Sequence, residues 1–395
     1  MSGPTALPAG FEAFNHALYQ STRVRLQPGH RVELVENGAI FDEVVEAIRQ
    51  ATESVHILVF IWRPSEPSDR IVEALCERAR AGVHCRVVVD PVGSEEVAGH
   101  HDFDTKVEQR LRDGGVEVHY FRPLAGRWLG RLLGRTHHKL VILDGKVGFT
   151  GGFGIWKSWQ GEGDSPEEWR DTNVRVEGPA LHEMQLTFAR IWQECGGALL
   201  PESCFPELEH VGPASAGFVE SSGGHGLSDS ERMLRMVFAV ARKRLWIANA
   251  YFTPPNAILE QLLEKRKQGV DVRVLAAGPV HDWRIVRASQ RATYEQMLKG
   301  GVRLWEYQPS MLHSKTVLVD DWLSVVGSTN LDALSLHRMR EGSLVVADRR
   351  LASKLDTCWE RDLAHSKEMS LTDGGRTNPW RRVARRATQL LAPDR

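Results

Sequence analysis

The sequence has few of the features that place a chain across a membrane or in an oxidising compartment. Its five cysteines are scattered, odd in number and form no CxxC pair, which argues against a disulfide framework and a zinc ribbon and favours a reducing compartment. The N-terminus lacks the basic start and apolar core of a signal peptide. The longest apolar runs, such as 57–62, are strand-sized and far below the roughly 18 residues of a spanning helix. We therefore predict a chain that does not span a membrane but can lie on its surface.

A large net charge is also missing, because 50 Lys and Arg residues nearly balance 51 Asp and Glu residues and leave a net charge of −1. This balance argues against a whole-protein electrostatic grip on nucleic acid, so we expect no nucleic-acid partner, although local basic patches remain possible. The length of 395 residues and the 42% hydrophobic content are typical of a globular protein with about two domains.

The chain is an internal duplication, since three segments recur in the same order. The pairs are 81–90 with 268–277, 114–123 with 300–309, and 136–152 with 312–328. In both halves helical patterns alternate with strand patterns, which is the signature of an α/β sheet covered by helices. A segment rich in Gly, Pro and Ser joins the halves as a linker. The predicted bounds are an N-terminal arm 1–30, a first lobe 31–196, a linker 197–226, a second lobe 227–365 and a tail 366–395.

The third repeated segment carries the pattern H-x-K-x4-D-x6-G-[G/S] in both halves. A pattern of this length that occurs twice in one chain carries a far lower risk of a chance match than most short motifs. The first copy is filled by His137, Lys139, Asp144, Gly151 and Gly152, and the second by His313, Lys315, Asp320, Gly327 and Ser328.

Strand geometry predicts what these residues do together. Successive side chains point to opposite faces, so the His and Lys of each copy share one side and the Asp lies on the other. Apposing the two halves would bring two imidazoles and two ammonium groups into one volume, which favours an anion, and lysine suits phosphate as a point charge. Imidazole can attack phosphorus or transfer a proton near neutral pH. The pair therefore permits a double displacement, in which one His forms a phosphohistidine and the other protonates the leaving alcohol and deprotonates the acceptor.

Plainer interpretations apply to single members of the pattern. A lone strand histidine is more often buried and satisfied by its neighbours, but the paired recurrence argues against that here. A zinc site conflicts with the Lys in each copy, which would repel a cation, and no Cys stands near, so we predict no metal. Asp144 and Asp320 come where a strand ends, Asp144 in an Asp-Gly pair typical of hairpin turns. We expect these two carboxylates to hold structure rather than react.

Both motifs resemble the paired HKD motifs of the phospholipase D superfamily, and the similarity covers nearly the whole chain, from about residue 31 to residue 362. Phrases such as VELVENGAIFDEVVEAI, NAYFTPP and EYQPSMLHSKTVLVDD look most like bacterial cardiolipin synthases, particularly the B-type enzymes without transmembrane helices. The resemblance implies two α/β/α sandwich lobes with mixed sheets, one active site between the lobes and a phosphatidyl-histidine intermediate. It implies no metal and no other cofactor.

The resemblance also implies roles for single residues. Asp171 and Glu341 occupy the positions of the acidic residues that orient each catalytic His through its second ring nitrogen. Either histidine serves as the nucleophile in the family, and we favour His137, with His313 as the acid and base.

The phosphate-binding residues are implied in the same way, because the second motif ends in Gly-Ser-x-Asn. Ser328 and Asn330 match that ending and are expected to hold phosphate oxygens. The first motif departs from it, with Gly152 in place of Ser and Gly154 in place of Asn. Backbone N–H groups or water would then do that work in the first lobe.

Two segments are candidates for contact with an anionic membrane surface. Ten extra residues before His137 form an insert in which arginines at four-residue spacing flank an apolar cluster, a pattern that suits an amphipathic surface helix. The C-terminal tail repeats the pattern. A solvated terminal helix, or core packing of the insert, is the alternative in each case. The residues concerned are Arg122, Arg127, Trp128, Arg131 and Arg135 in the insert and its flanks, and Trp380, Arg381 and Arg385 in the tail.

The favoured function is transfer of a phosphatidyl group between two phosphatidylglycerol molecules, with release of glycerol. We expect a monomer that lies peripherally on the cytoplasmic side of the bacterial inner membrane. Hydrolysis to phosphatidic acid is the nearest alternative, because water competes with the acceptor alcohol. A different donor or acceptor lipid, a nuclease with the same motifs and a non-catalytic membrane-binding module, with Gly154 as its sign of decay, are the others.

Overall fold

The computed structural model describes residues 7–94, 107–122, 134–223 and 226–373. The strands are β1 Gln27–Glu36, β2 Ser54–Val59, β3 His84–Val89, β4 Glu117–Tyr120, β5 Leu140–Leu143, β6 Val147–Gly151, β7 Trp169–Arg170, β8 Thr172–Glu177, β9 Ala214–Ser221, β10 Arg244–Asn249, β11 Asp271–Ala277, β12 Arg303–Tyr307, β13 Met311–Leu312, β14 Lys315–Val319, β15 Leu323–Gly327, β16 Glu341–Ala347 and β17 Ser366–Glu368. The α-helices are α1 Phe11–Thr22, α2 Ala39–Gln50, α3 Glu66–Arg80, α4 Pro91–Ser94, α5 Gln109–Asp113, α6 Leu181–Glu194, α7 Asp229–Val240, α8 Asn256–Lys267, α9 Arg284–Lys299, α10 Ala333–Arg338 and α11 Arg349–Ala364.

The two halves repeat one strand pattern. In the first half β2, β3 and β4 run parallel, while β5, β6 and β8 add antiparallel strands. In the second half β10, β11 and β12 run parallel, while β14, β15 and β16 are antiparallel. Strand β1 pairs with β8 on one side and with β9 on the other, and so joins both halves into one sheet of 15 strands.

Alternation along the buried strands explains the layers. On β5, Val141 and Leu143 point into the core that α2 and α3 cover, whereas Leu140 and Ile142 point into the core that α6 covers. The apolar stripe of α2, which includes Phe41 and Val45, packs on the first of these cores. Helices therefore lie on both faces of the sheet, which confirms the predicted α/β/α architecture with mixed strands.

The segments predicted as arm, linker and tail all contain elements of the sandwich. In the arm, α1 packs Phe11 and Phe14 edge-on against Trp322 of the second half. In the linker, β9 is paired with β1 and β16, and in the tail β17 pairs with β12. The strand β9 contains several small residues because it packs closely against the segment around Arg25, and in the sequence these small residues resemble a linker. A Cβ at Gly217 would lie 2.8 Å from the carbonyl oxygen of Arg25.

Candidate active site

The two halves meet at a pocket of about 470 Å³. His137 lies three residues before β5 and His313 lies two residues before β14, so the equivalent strand of each half places its histidine at the end of the sheet. His137, Lys139 and His313 line this pocket. The ammonium of Lys315 lies 2.9 Å from both ring nitrogens of His313. The structure thus brings together the four residues that the spacing of the two motifs predicts to converge.

Each imidazole is held by a carboxylate from the opposite half. His137 Nδ1 lies 3.0 Å from both carboxylate oxygens of Glu341. His313 Nδ1 lies 2.9 Å from Asp171 Oδ2. The sequence resemblance predicted these two acids as orienting residues, but it did not indicate that each one crosses to the other lobe.

Backbone hydrogen bonds cross between the two halves in the same way. The His137 N–H donates to the carbonyl oxygen of Arg340, and the His313 N–H donates to that of Arg170, both at 2.8 Å. The acid of each pair is the next residue in the chain after that carbonyl, so one local arrangement fixes both ring and main chain. Parallel pairing of β13 with β7 forms one of these contacts, and a bridge between Thr136 and Arg340 forms the other.

The carboxylates determine which tautomer each imidazole adopts. Because Asp171 and Glu341 accept hydrogen bonds, Nδ1 of each ring carries the proton and Nε2 keeps its lone pair. Among the described residues, Nε2 of His137 has no hydrogen-bond partner, whereas the Lys315 ammonium approaches the ring of His313. The two rings therefore differ in the resting site, and Nε2 of His137 is the less engaged ring nitrogen.

Burial controls the charges in the pocket. It lowers the pKa of His137 and of His313 to about 4, with the lysines acting in the same direction, so both rings are neutral at pH 7. Burial also lowers the pKa of Lys315 to about 8 and that of Lys139 well below its ordinary value. Burial opposes ionisation of Asp171 and Glu341 as well, but hydrogen bonds and nearby cations hold the pKa of both carboxyls below the usual range.

The residues predicted to bind phosphate have different surroundings. Ser328 is fully buried and donates to Glu341 Oε2 at 2.5 Å, so its hydroxyl is committed to the acid. The Gly152 N–H donates to Asn173 Oδ1 at 3.1 Å. Asn330 lines the pocket, and its Oδ1 is buried without a partner among the described residues. Of these three predicted residues, Asn330 is the one with a side chain in position to contact a phosphate.

Asp144 and Asp320 occupy equivalent positions in the two lobes and bind equivalent stretches of backbone. Asp144 accepts hydrogen bonds from the backbone N–H groups of residues 52 to 54, and Asp320 accepts them from residues 242 to 244. Both residues have left-handed backbone, with φ of 52° and 51°. Neither residue lines the pocket, so their geometry agrees with the structural role expected from the sequence.

Most residues of the predicted membrane segments lie outside the described residues, namely Arg127, Trp128, Arg131, Trp380, Arg381 and Arg385. The interpretation of Arg135 as a surface residue is wrong. It is 4% exposed, and its guanidinium binds both carboxylate oxygens of Asp90 at 3.1 and 3.0 Å. Arg122 pairs with Glu194 at 2.8 Å. Among the described residues, no helix combines the length and apolar character needed to cross a bilayer.

Sequence reasoning missed several residues of the pocket. Arg135 lines it, and the buried Asp90 at the end of β3 orients both Arg135 and the Thr136 N–H. On the other side Tyr251 donates to Asp282, and both line the pocket. Asp90 and Tyr251 each follow a buried strand, a position that favours functional residues in α/β proteins, and this was the available signal. Within the described ranges no group of three or more His, Cys, Asp and Glu side chains forms a metal site.

Known proteins are similar to this chain both in sequence and in fold. Cardiolipin synthase A of Pseudomonas putida strain F1 is 32% identical over 375 residues, which cover 92% of this chain and 75% of that protein. The enzyme of the same name from Pseudomonas aeruginosa strain LESB58 is 32% identical over 384 residues, 95% of this chain and 76% of the relative. Both relatives carry the A-type name, whereas the sequence phrases looked more like the B-type.

A solved structure extends the comparison to the fold. Phosphatidylserine synthase of Haemophilus influenzae Rd KW20 superposes with a TM-score of 0.73 at 15% identity, over 97% of this chain and 100% of that one. Residues 44–192 and 234–363 match the family described as cardiolipin synthase, PLD-like domain. These two segments contain both histidines, both lysines and both orienting acids. The chain therefore belongs to the cardiolipin synthase PLD-like domain family.

Proposed function

We propose that this protein is a phosphatidyltransferase of the cardiolipin synthase type, which transfers a phosphatidyl group from one phosphatidylglycerol to a hydroxyl of a second and releases glycerol. One observation carries the proposal: two neutral imidazoles, each oriented by a buried acid of the opposite lobe, line a single pocket. A double displacement at phosphorus needs such a pair, one ring to attack and one to move the proton.

In the first step, His137 Nε2 attacks phosphorus and the bond from phosphorus to the glycerol oxygen breaks. The leaving oxygen takes a proton from His313, so free glycerol and a phosphatidyl-histidine form. In the second step, His313 takes the proton of the acceptor hydroxyl, whose oxygen attacks phosphorus as the bond to His137 Nε2 breaks. The products are cardiolipin and the two histidines in their starting states. Lys139, Lys315 and Asn330 stabilise the charge on the phosphoryl oxygens.

The resting charges explain how His313 becomes an acid. With both rings neutral and both lysines protonated, the two lysines and the two orienting acids sum to zero. A phosphodiester adds one negative charge, which favours uptake of one proton in a buried site. Lys315 already lies 2.9 Å from the ring nitrogens of His313 and must turn toward the phosphate for that ring to become protonated.

The lipid must reach the pocket from a membrane surface, and the pocket rim supports such contact. Trp283 is 59% exposed and Ile285 is 63% exposed, and Trp283 also lines the pocket. Large apolar side chains at this position suit the boundary between headgroups and acyl chains. We propose that the protein acts as a monomer on the cytoplasmic face of the bacterial inner membrane, with the rim and the basic tail as its contacts.

Purified protein mixed with phosphatidylglycerol vesicles tests the reaction. Cardiolipin and glycerol in equal amounts support transfer, and phosphatidic acid as the main product would show a hydrolase instead. His137→Ala and His313→Ala should each abolish turnover, and the absence of any product from the unaltered protein would contradict the proposal.

Vesicle flotation tests the membrane contact. Trp283→Ala combined with Ile285→Ser should weaken binding to phosphatidylglycerol vesicles, and so should removal of the residues after Asn378. Leu199→Ser is a matched control, because this leucine is 80% exposed and does not line the pocket. Equal loss with the control would show that any exposed apolar residue contributes, and unchanged binding in both test variants would reject these contacts.

A further inference from the structure

The first lobe differs from the second around its orienting acid. The catalytic histidines are 176 residues apart, and the same offset pairs Gly152 with Ser328, Gly154 with Asn330 and Trp159 with Ser335. The second lobe has small polar side chains at all three of these positions. The first lobe has two glycines and a tryptophan, and the contacts of the three residues show that they form one arrangement.

In the second lobe two hydroxyl groups hold the acid. Ser328 Oγ donates to Glu341 Oε2 and Ser335 Oγ donates to Glu341 Oε1, both at 2.5 Å. The same carboxylate accepts from His137 Nδ1, so three donors fix its orientation. This fixed orientation in turn determines the direction of the imidazole.

In the first lobe an indole replaces the hydroxyl groups. Trp159 Nε1 donates to Asp171 Oδ2 at 2.8 Å, and the same oxygen lies 2.9 Å from His313 Nδ1. Trp159 is 1% exposed and Asp171 is fully buried, so the contact is shielded from solvent. The Trp159 ring also meets the His313 ring edge-on at 5.1 Å. The indole therefore contacts both members of the acid–histidine pair.

The glycines leave room for this indole. A Cβ at residue 154 would lie 2.8 Å from Trp159 Cζ3 and 2.9 Å from Cη2, so no asparagine fits there beside the ring. A Cβ at residue 152 would lie 2.4 and 2.5 Å from the two carboxylate oxygens of Asp171. The departures of the first motif from the second are thus linked in space rather than independent losses.

We infer that Trp159 is a positioning residue for the Asp171–His313 pair, in the role that Ser335 has for Glu341, and that Gly154 is required by the indole. The phosphate then contacts the polar side chain of Asn330 from the second lobe and the aromatic ring of Trp159 from the first. Kinetic readouts of this inference rest on the proposed function, but its magnetic-resonance readout does not.

Trp159→Phe tests the hydrogen bond, because phenylalanine keeps most of the ring and removes the N–H. Loss of such a supporting contact is expected to lower kcat by about 10- to 100-fold, with a smaller change in KM. Trp246→Phe is the matched control, because its indole donates to the Asp271 carboxylate at 3.1 Å and does not line the pocket. It should leave kcat within about twofold of the unaltered protein.

Titration of His313 by nitrogen-15 magnetic resonance separates positioning from packing and needs no turnover. Without the indole donor, Asp171 becomes a stronger acceptor and the pKa of His313 rises. The other charged groups facing this ring are Lys315, two residues later in the chain, Lys139 from the first lobe and Asp282 beside α9, and they are the same in both variants. Unchanged kcat and unchanged His313 titration in Trp159→Phe would overturn the inference.

A double-mutant cycle tests the shared space. Gly154→Asn alone should lower kcat/KM more than tenfold because the side chain collides with the indole. Combined with Trp159→Ser, which restores the residue types of the second lobe, Gly154→Asn should cost at least about tenfold less than it does alone, as expected for residues in contact. Urea unfolding of each variant confirms that folded protein is compared. Additive losses would show that Gly154 and Trp159 are independent and would reject the linkage.

Discussion

Glu341 of the second lobe binds Nδ1 of His137 in the first lobe, with both carboxylate oxygens 3.0 Å from the ring nitrogen. The two residues are 204 positions apart in the chain, and both are buried. Asp171 and His313 repeat the contact in the opposite direction, across 142 positions. Each lobe therefore supplies the imidazole of one pair and the carboxylate of the other, so neither lobe alone contains a complete pair.

Glu341→Gln should lower kcat by about three to four powers of ten, because the amide removes the charge and no longer selects the Nδ1–H tautomer of His137. Kinetics with short-chain phosphatidylglycerol measure this loss. Glu194→Gln is the control, since Glu194 also crosses between the lobes, pairing with Arg340 at 2.8 Å, but does not touch an imidazole. If the pair acts as a unit, His137→Gln combined with Glu341→Gln is no slower than His137→Gln alone. Additive losses would contradict that coupling.

The roles of the two histidines can be separated with a phosphodiester that carries a 4-nitrophenyl leaving group, which departs without an acid. His313→Gln should then release about one nitrophenolate per protein in a burst and stop, because no base deprotonates the acceptor. His137→Gln should show no burst, since the nucleophile is missing. Rapid-mixing absorbance measures both. A burst in His137→Gln and none in His313→Gln would reverse the assignment.

Much of the fold follows from local sequence patterns. Alternation along β5 predicts that Leu140 and Val141 face opposite sides of the sheet, and the recurrence of three segments predicts two similar halves. The Asp-Gly turn at Asp144 predicts a structural carboxylate at a strand end. These features depend on residues close together in the chain, where strand and turn geometry leave few choices.

The parts that local patterns could not predict are contacts between distant residues. The crossing of Glu341 to His137 depends on how the lobes pack. The joining of the halves through β1 and β9 is hidden because β9 contains small residues that resemble a linker. Arg135 was misread because its spacing fits an amphipathic helix, whereas its partner Asp90 is 45 residues away.

Binding of a phosphodiester should take up about one proton at pH 7, because both imidazoles are neutral in the free protein and the ligand adds a negative charge. Affinity then rises as pH falls from 7 toward about 4, the pKa of both rings, at which point the free protein already carries the proton. Calorimetry with diethyl phosphate, whose charge is constant over this range, measures the uptake in buffers of different ionisation enthalpy. An affinity that does not change with pH, together with no proton uptake, would contradict the charge balance proposed for the site.

Asp144→Asn and Asp320→Asn should reduce stability rather than the rate of the folded protein. Each carboxylate accepts several backbone N–H groups, and its loss should cost about 1–3 kcal/mol of unfolding free energy, measured by urea denaturation. Asparagine tolerates the left-handed φ of 52° at residue 144, so Asp144→Ala, which adds backbone strain, should cost more.

The backbone N–H groups hold the pKa of the Asp144 carboxyl below its usual value against the effect of burial. Its contribution is therefore complete above the unfolded pKa and disappears as pH falls through the lower, folded value. The stability difference between the unaltered protein and Asp144→Asn should accordingly shrink in acid, while kcat per folded molecule stays within about threefold at neutral pH. A hundredfold loss of kcat with unchanged unfolding would instead make Asp144 part of the reaction.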